Sequence, residues 1–208
     1  MSEATIAPVE DRVERAPGRP RNADCDTAIL AATAELLGEC GYGRLSIEGV
    51  AARAGVGKST IYRRWPSKVP LVIDAVACLH ETAVPAEDED TRQALVMSLS
   101  RFIHLLSESP AGPVLFGLIA ELPRNPDLAR AVREELLSKR RSRVFAILQR
   151  GIERGELRED TDLELTADLL AGPVFVRLMI TGGPTPPDLA ERVVDQVLAG
   201  LRRHAGSF

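Results

Sequence analysis

Apolar residues recur at intervals of three and four along most of this 208-residue chain, and Pro and Gly divide the periodic segments. Ile29, Ala32, Leu36 and Leu37 set this spacing in the first segment, which Gly41 ends. No segment alternates apolar and polar residues as a half-buried β-strand requires. The chain is therefore predicted to be all-α, with helices over 24–41, 47–54, 57–65, 67 to about 84, 90–107, 111–121, 126–154, 162–181 and 187–204. Pro173 is predicted to kink or divide the segment that contains it.

Cysteines and hydropathy exclude several protein classes. Cys25, Cys40 and Cys78 are odd in number and lack CxxC spacing, which argues against a disulfide scaffold or a structural zinc site. No apolar run reaches 18 residues and the N-terminus is charged, so the sequence predicts a cytoplasmic protein with no membrane partner. The three histidines show no metal-ligand or Ser-His-Asp arrangement, so no metal, no cofactor, no catalytic residue and no enzyme activity are predicted.

The charge is unevenly distributed. The chain carries a net charge of −4, yet residues 44–73 hold six basic residues against Glu48 alone. A local basic patch of this kind suits phosphate neutralisation, although a solvated helix face would have the same composition.

Two short predicted helices meet at residues 51–56 in the pattern of a helix-turn-helix. Such a motif needs a small residue where the helices touch, a Gly able to adopt a left-handed φ, and apolar anchors. Ala51, Gly55 and Ile61 fill these roles, with Ser46 as the predicted N-cap of the first helix. The second helix is predicted to present polar groups suited to phosphates and base edges, namely Lys58, Ser59, Thr60, Tyr62, Arg63 and Arg64.

The stretch from Leu45 to Lys68, LSIEGVAARAGVGKSTIYRRWPSK, resembles the DNA-binding domain of TetR-family transcriptional regulators. Family members often have Phe at the position of Trp65, which is predicted to pack in the core of the small domain. The resemblance implies a three-helix DNA-binding domain over 23–68 and a helical ligand-binding and dimerisation domain over 69–208. It also implies a homodimeric, ligand-responsive repressor that binds a palindromic operator in double-stranded DNA. The DNA-binding residues expected in this part of the chain are Ser46, Lys58, Ser59, Thr60, Tyr62, Arg63 and, on a phosphate, Lys68.

Residues 1–22 are predicted to form a flexible basic arm. Its Gly18-Arg19-Pro20-Arg21 sequence is of the kind that enters a narrow minor groove, which places Arg19 and Arg21 among the expected DNA contacts. A solubilising tail is the alternative.

A phosphate-loop-like sequence overlaps the helix-turn-helix. Residues 52–59 end in Gly57-Lys58-Ser59, and residues 70–74 end in Asp74 after an apolar run. A nucleotide-binding protein with Lys58 on phosphate and Ser59 on Mg²⁺ is therefore one alternative. The helical period of 46–54 opposes it, because a phosphate loop follows a buried strand. A helical interaction module without DNA binding is a second alternative.

The C-terminal part has two expected tasks. The first is an aliphatic cavity for a small apolar or amphipathic effector. Its candidate polar contacts are His104, Glu121, Gln149 or Arg177. The large apolar residues predicted to line it are Phe102, Leu105, Leu106, Phe116, Ile119, Phe145, Leu148, Phe175 and Met179. By resemblance, the last two helices form a four-helix dimer interface through Leu169, Val174, Leu178, Leu189, Val193, Val197 and Leu201. Packing within the core of one subunit is the alternative for the cavity residues and for these dimer residues.

Overall fold

The computed structural model describes residues 21–79 and 90–201, with side chains from Asp24 onward. Its helices are α1 (Arg21–Arg44), α2 (Ile47–Ala54), α3 (Lys58–Tyr62), α4 (Lys68–Cys78), α5 (Thr91–Ser107), α6 (Ala111–Glu121), α7 (Pro126–Ala131), α8 (Ser138–Glu153), α9 (Leu163–Phe175) and α10 (Leu189–Leu201). No strand occurs in these two ranges, which confirms the all-α prediction. Arg19 and the rest of residues 1–20 lie outside the described residues, as does the side chain of Arg21.

Local signals account for most helix ends. The predicted helix 47–54 is α2, and the Ser46 hydroxyl accepts a hydrogen bond from the Gly49 N–H at 3.1 Å as its N-cap. α1 departs from helical geometry at Gly41, where φ is +73°, but one further turn carries the helix to Arg44. Pro173 lies inside α9, and a π-helical turn, Val176–Thr181, follows the last residue of that helix, Phe175.

The first core joins the N-terminal helices to two helices from further along the chain. It contains fully buried side chains from α1, α2, α3 and α4, such as Ile29, Val50, Ile61 and Leu71, together with Leu128 of α7. α1 also packs on α6. The helix-turn-helix segment is thus fixed to the larger part of the chain through α4, α6 and α7.

The second core lies among α5, α8, α9 and α10. Leu148 and Val174 are fully buried in it, and Leu115 of α6 contacts both cores. α5 and α6 meet at a bend of 85°. Among the described residues no single helix is long and apolar enough to cross a membrane; only the bent pair Thr91–Ser107 with Ala111–Arg124 reaches that length and composition together.

Candidate nucleic-acid interface

The turn between α2 and α3 has the geometry that the motif requires. Gly55 adopts φ +66° and ψ +32°, and the Val56 N–H donates to the Ala51 carbonyl at 3.0 Å. Ala51 is buried where the two helices approach. Any other residue at 55 would be strained in this left-handed conformation.

Two side chains anchor α3 to the rest of the first core. Ile61 is fully buried, and Trp65, two residues beyond Arg63 at the helix end, is buried with its indole N–H donating to Asp74 Oδ2 at 2.8 Å. The predicted place of Trp65 in the core is confirmed. Residues 52–59 run from the end of α2 to the start of α3, and Asp74 lies on α4, so the described residues lack the strand on which a phosphate loop depends.

The opposite side of α3 faces solvent. Lys58, Ser59 and Arg63 are exposed, Thr60 is half-buried, and Tyr62 is 50 % exposed although it is a large aromatic residue. An exposed aromatic side chain on an anchored helix is available to contact a partner. The structure therefore brings four of the predicted DNA-binding residues onto α3 and a fifth, Arg63, onto the position that ends this helix.

Arg64 does not belong to this surface. Its guanidinium forms an ion pair with Asp26 of α1, and only 15 % of its side chain is exposed. The expectation that Arg64 lies on the outer side of α3 is therefore wrong, because the chain turns inward after Arg63 to bury Trp65.

Lys58 has a neighbour of opposite charge on α2. Its Nζ lies 3.1 Å from Glu48 Oε1, with both side chains more than half exposed. A hydrogen bond from its own backbone N–H, together with the Lys58 ion pair, lowers the pKa of Glu48. Glu48 is the single acidic residue among positions 44–73. Its contact with Lys58 joins two helices, so the spacing of the two residues in the sequence did not predict it.

Lys68 ties two parts of the first core together. Its ammonium donates to the carbonyls of Tyr42 at 2.9 Å and Leu45 at 3.1 Å, and lies 4.1 Å from the centre of the Tyr42 ring. Burial lowers the pKa of Lys68. Two of its three N–H groups are thus engaged within the protein, which leaves one for a phosphate.

Six of the nine predicted effector residues lie in the second core or pack against it, whereas Met179 is 41 % exposed and Leu105 and Ile119 belong to neither group. Phe102, Leu106 and Leu148 are buried, and the Phe102 and Phe175 rings meet edge to face with centroids 5.5 Å apart. Two clefts, of about 160 and 360 Å³, border His104 and Asp127 respectively, and neither is lined by any of the nine predicted residues.

Of the four predicted polar contacts, His104, Gln149 and Arg177 hydrogen-bond at the surface, to Glu108, Glu153 and the Pro184 carbonyl. Glu121 accepts from Asn125. The cation beside the aromatic pair is instead Arg140, whose guanidinium carbon lies 3.4 Å from the Phe102 ring centre. Arg140 shares one face of α8 with Val144 and Leu148 at intervals of four, and this spacing was the available sequence signal.

Several predicted dimer residues are core residues instead. Val174, Leu189 and Val193 are buried within the subunit because α9 and α10 pack on each other and on α5 and α8, so these three predictions are corrected. Leu178, Val197 and Leu201 are partly buried against the second core. Leu169 is 50 % exposed and belongs to an apolar stripe on α9 and the π-helical turn that also contains Leu165, Val176, Met179 and Ile180.

Comparison with known proteins places this geometry in a family. The family model described as "Bacterial regulatory proteins, tetR family" matches residues 29–75, and "Tetracyclin repressor-like, C-terminal domain" matches residues 85–197. The HTH-type transcriptional regulator YdeS of Bacillus subtilis is 32 % identical over 89 % of this chain and 93 % of its own length. A DNA-binding transcriptional repressor TetR of Mycobacteroides abscessus is 34 % identical over 85 % of this chain and 93 % of its own length.

A solved structure agrees with this assignment. The TetR family transcription regulator SCO0332 superposes with a TM-score of 0.68 at 33 % identity, covering 85 % of this chain and 98 % of that one. The helix-turn-helix geometry, the two family models and these relatives lead to one conclusion: the chain belongs to the TetR family and is a DNA-binding transcriptional regulator, not an enzyme.

Proposed function

We propose that the chain is a ligand-responsive repressor that acts in the cytoplasm as a homodimer on a palindromic operator. The observation that carries the proposal is the outer side of α3, where polar and aromatic side chains stand on a helix fixed by Ile61 and Trp65. Lys58, Ser59, Thr60, Tyr62 and Arg63 would contact the major groove. Ser46 and Lys68 would contact phosphates, and Arg19 and Arg21 the adjacent minor groove. The similar Mycobacteroides abscessus protein, named a repressor, supports the direction of regulation.

Tyr62→Ala tests this recognition surface. We expect affinity for a duplex selected from bound genomic fragments to fall about 10- to 100-fold, because a base-edge or phosphate contact is lost. The melting temperature should stay unchanged, since half of the side chain is already in solvent. Fluorescence anisotropy with the selected duplex and a scrambled one measures the effect. Arg133→Ala, an exposed substitution outside the DNA-binding motif, is the control. Equal affinity of Tyr62→Ala and the parent protein would contradict the assignment.

Glu48→Gln should act in the opposite direction. Glu48 neutralises Lys58 in the free protein and would repel phosphate in the complex. Its removal is expected to raise affinity for any duplex about two- to fivefold and to increase the salt dependence of binding. Titrations at several salt concentrations measure both quantities. Glu153→Gln removes an exposed acid from α8 and should change neither; a fall in affinity with Glu48→Gln would show that Glu48 orients Lys58 for DNA.

Dimerisation is supported by the apolar stripe on α9 and the π-helical turn. One helix as short as α3 makes too few contacts for specific binding, whereas a two-fold dimer reads two half-sites about one helical turn or more apart. The stripe offers five exposed apolar side chains, and Gly172 between them has open space at its Cβ position. A twin helix can therefore approach closely at that point.

The effector response is supported by the packing of α6. This helix contacts α1 in the first core and α5 in the second, so a change in the second core can alter the position of α3. The effector must bind the conformation that cannot bind DNA more tightly than the conformation that can. The resulting change in the free energy of operator binding cannot exceed the difference between the effector's two binding free energies. Screening of small amphipathic compounds by thermal shift, followed by operator-release titration, tests this coupling. Compounds that bind the C-terminal helices and leave operator affinity unchanged would contradict it.

A further inference from the structure

Arg140 is a cation held against aromatic rings. It lies on α8, one turn before Val144 and two turns before the fully buried Leu148, and it is itself partly buried. Its guanidinium carbon is 3.4 Å from the centre of the Phe102 ring on α5. Phe102 in turn contacts Phe175 on α9. The guanidinium group of α8 therefore stacks on an aromatic pair that α5 and α9 contribute.

No carboxylate in the described part of the chain neutralises Arg140. The nearby acids of α9, Glu164 and Asp168, both form ion pairs with Arg141. Burial lowers the pKa of the Arg140 guanidinium to about 10, and the charge of Arg141 adds to this shift. A partly desolvated cation is costly unless an anion or hydrogen-bond acceptor meets it, and the face of a phenylalanine ring offsets only part of that cost.

Other partly buried cations in the molecule show the usual arrangement. Lys68 also lies over an aromatic ring, but it donates to two backbone carbonyls. Arg64 is paired with Asp26. Arg140 has the aromatic contact without either kind of partner among the described residues, so its donors are available to an anion that comes from outside the subunit.

We propose that Arg140 is the anion-binding residue of an effector site between α5, α8 and α9, and that the effector is an amphipathic oxyanion. Its carboxylate or phosphate accepts hydrogen bonds from the guanidinium group, and its apolar body packs on Phe102 and Phe175. The planar guanidinium suits such head groups because it offers two parallel N–H donors. This inference rests on the proposed effector response and adds the chemical class of the ligand.

Calorimetry on the full-length chain tests the inference with four probes that share a ten-carbon body: decanoate, decyl phosphate, decanol and decyltrimethylammonium. We expect the better of the two anions to bind about 10- to 100-fold more tightly than decanol, and the cation to bind least. Comparison of decanoate with decyl phosphate identifies the preferred head group. Arg140→Gln should remove the advantage of the anion over decanol. Lys139→Gln removes an exposed charge from the neighbouring position and should leave it intact.

Three results would overturn the inference: equal binding of anions and decanol to the parent protein, unchanged anion affinity in Arg140→Gln, or absence of binding by either anion. A measurement without ligand gives a second check. Arg140→Met replaces the unneutralised cation with an apolar side chain and should raise the melting temperature by about 2–6 °C; a fall would show that the charge is already compensated. Since none of these measurements involves DNA, failure of operator binding or release would refute the proposed function without affecting them.

Discussion

Gly112→Ala is expected to lower the melting temperature by about 5–15 °C, equivalent to a loss of about 2–4 kcal/mol in the free energy of unfolding. Gly112 is buried in the first turn of α6, directly after the 85° bend that separates α6 from α5. A Cβ at this position would lie 2.9 Å from the Leu106 carbonyl carbon and closer still to its oxygen. Both atoms belong to the backbone, so no side chain can rotate to relieve the clash.

The only relief is a shift of α6 away from α5. Such a shift disturbs both cores, because Leu115 of α6 contacts each of them. Gly117→Ala provides a control on the same helix with the opposite expected sign. Its Cβ would have no neighbour within 4 Å, and alanine is favoured over glycine in a helix interior by about 0.5–1 kcal/mol. Differential scanning calorimetry at one fixed protein concentration compares the two variants. Similar melting temperatures for Gly112→Ala and the parent protein would contradict the described packing of α5 against α6.

The sequence was most informative where short-range chemistry determines conformation. Ser46 accepts a hydrogen bond within its own helical turn, and Gly55 alone permits the left-handed φ that ends α2. Both requirements lie within a few residues of the positions that satisfy them. The helix-turn-helix and the exposed face of α3 could therefore be predicted from one sequence, and the family resemblance carried the prediction to the whole fold.

Positions that depend on packing between distant helices were harder to predict. Val174, Leu189 and Val193 have the spacing of an apolar stripe, but a stripe does not reveal whether the protein's own core or a second subunit covers it. Arg64 and Arg63 are adjacent and chemically identical, yet only Arg64 meets Asp26 of α1. Arg140 was not among the residues singled out from the sequence, although it stands four residues before Val144 and eight before Leu148, which are both buried on α8. In each case the deciding neighbour lies on another helix.

Leu169→Glu is expected to convert the protein from dimer to monomer at micromolar concentration and to weaken operator binding at least about 100-fold. Leu169 is half exposed at the centre of the stripe that includes Leu165 and Val176. A carboxylate placed there would be buried between two apolar helices without a partner. A two-fold interface contains the substitution twice, which doubles the cost. Sedimentation velocity measures the association, and anisotropy with the selected operator duplex measures its consequence for DNA binding.

The comparison that isolates the stripe is Leu137→Glu. Leu137 is also an exposed apolar residue, at 37 %, but it ends a second π-helical segment, Val132–Leu137, which precedes α8. Leu137→Glu should leave the dimer and its affinity for the operator unchanged, because the new carboxylate stays in solvent. A monomeric Leu169→Glu protein must fill the two half-sites of the operator with two separate molecules. The second molecule then binds from solution, and the gain in effective concentration that a dimer provides is lost. A Leu169→Glu protein that remains dimeric and binds the operator normally would exclude this stripe as the dimer interface. A monomeric Leu169→Glu protein with undiminished operator affinity would show that DNA recognition does not require a dimer.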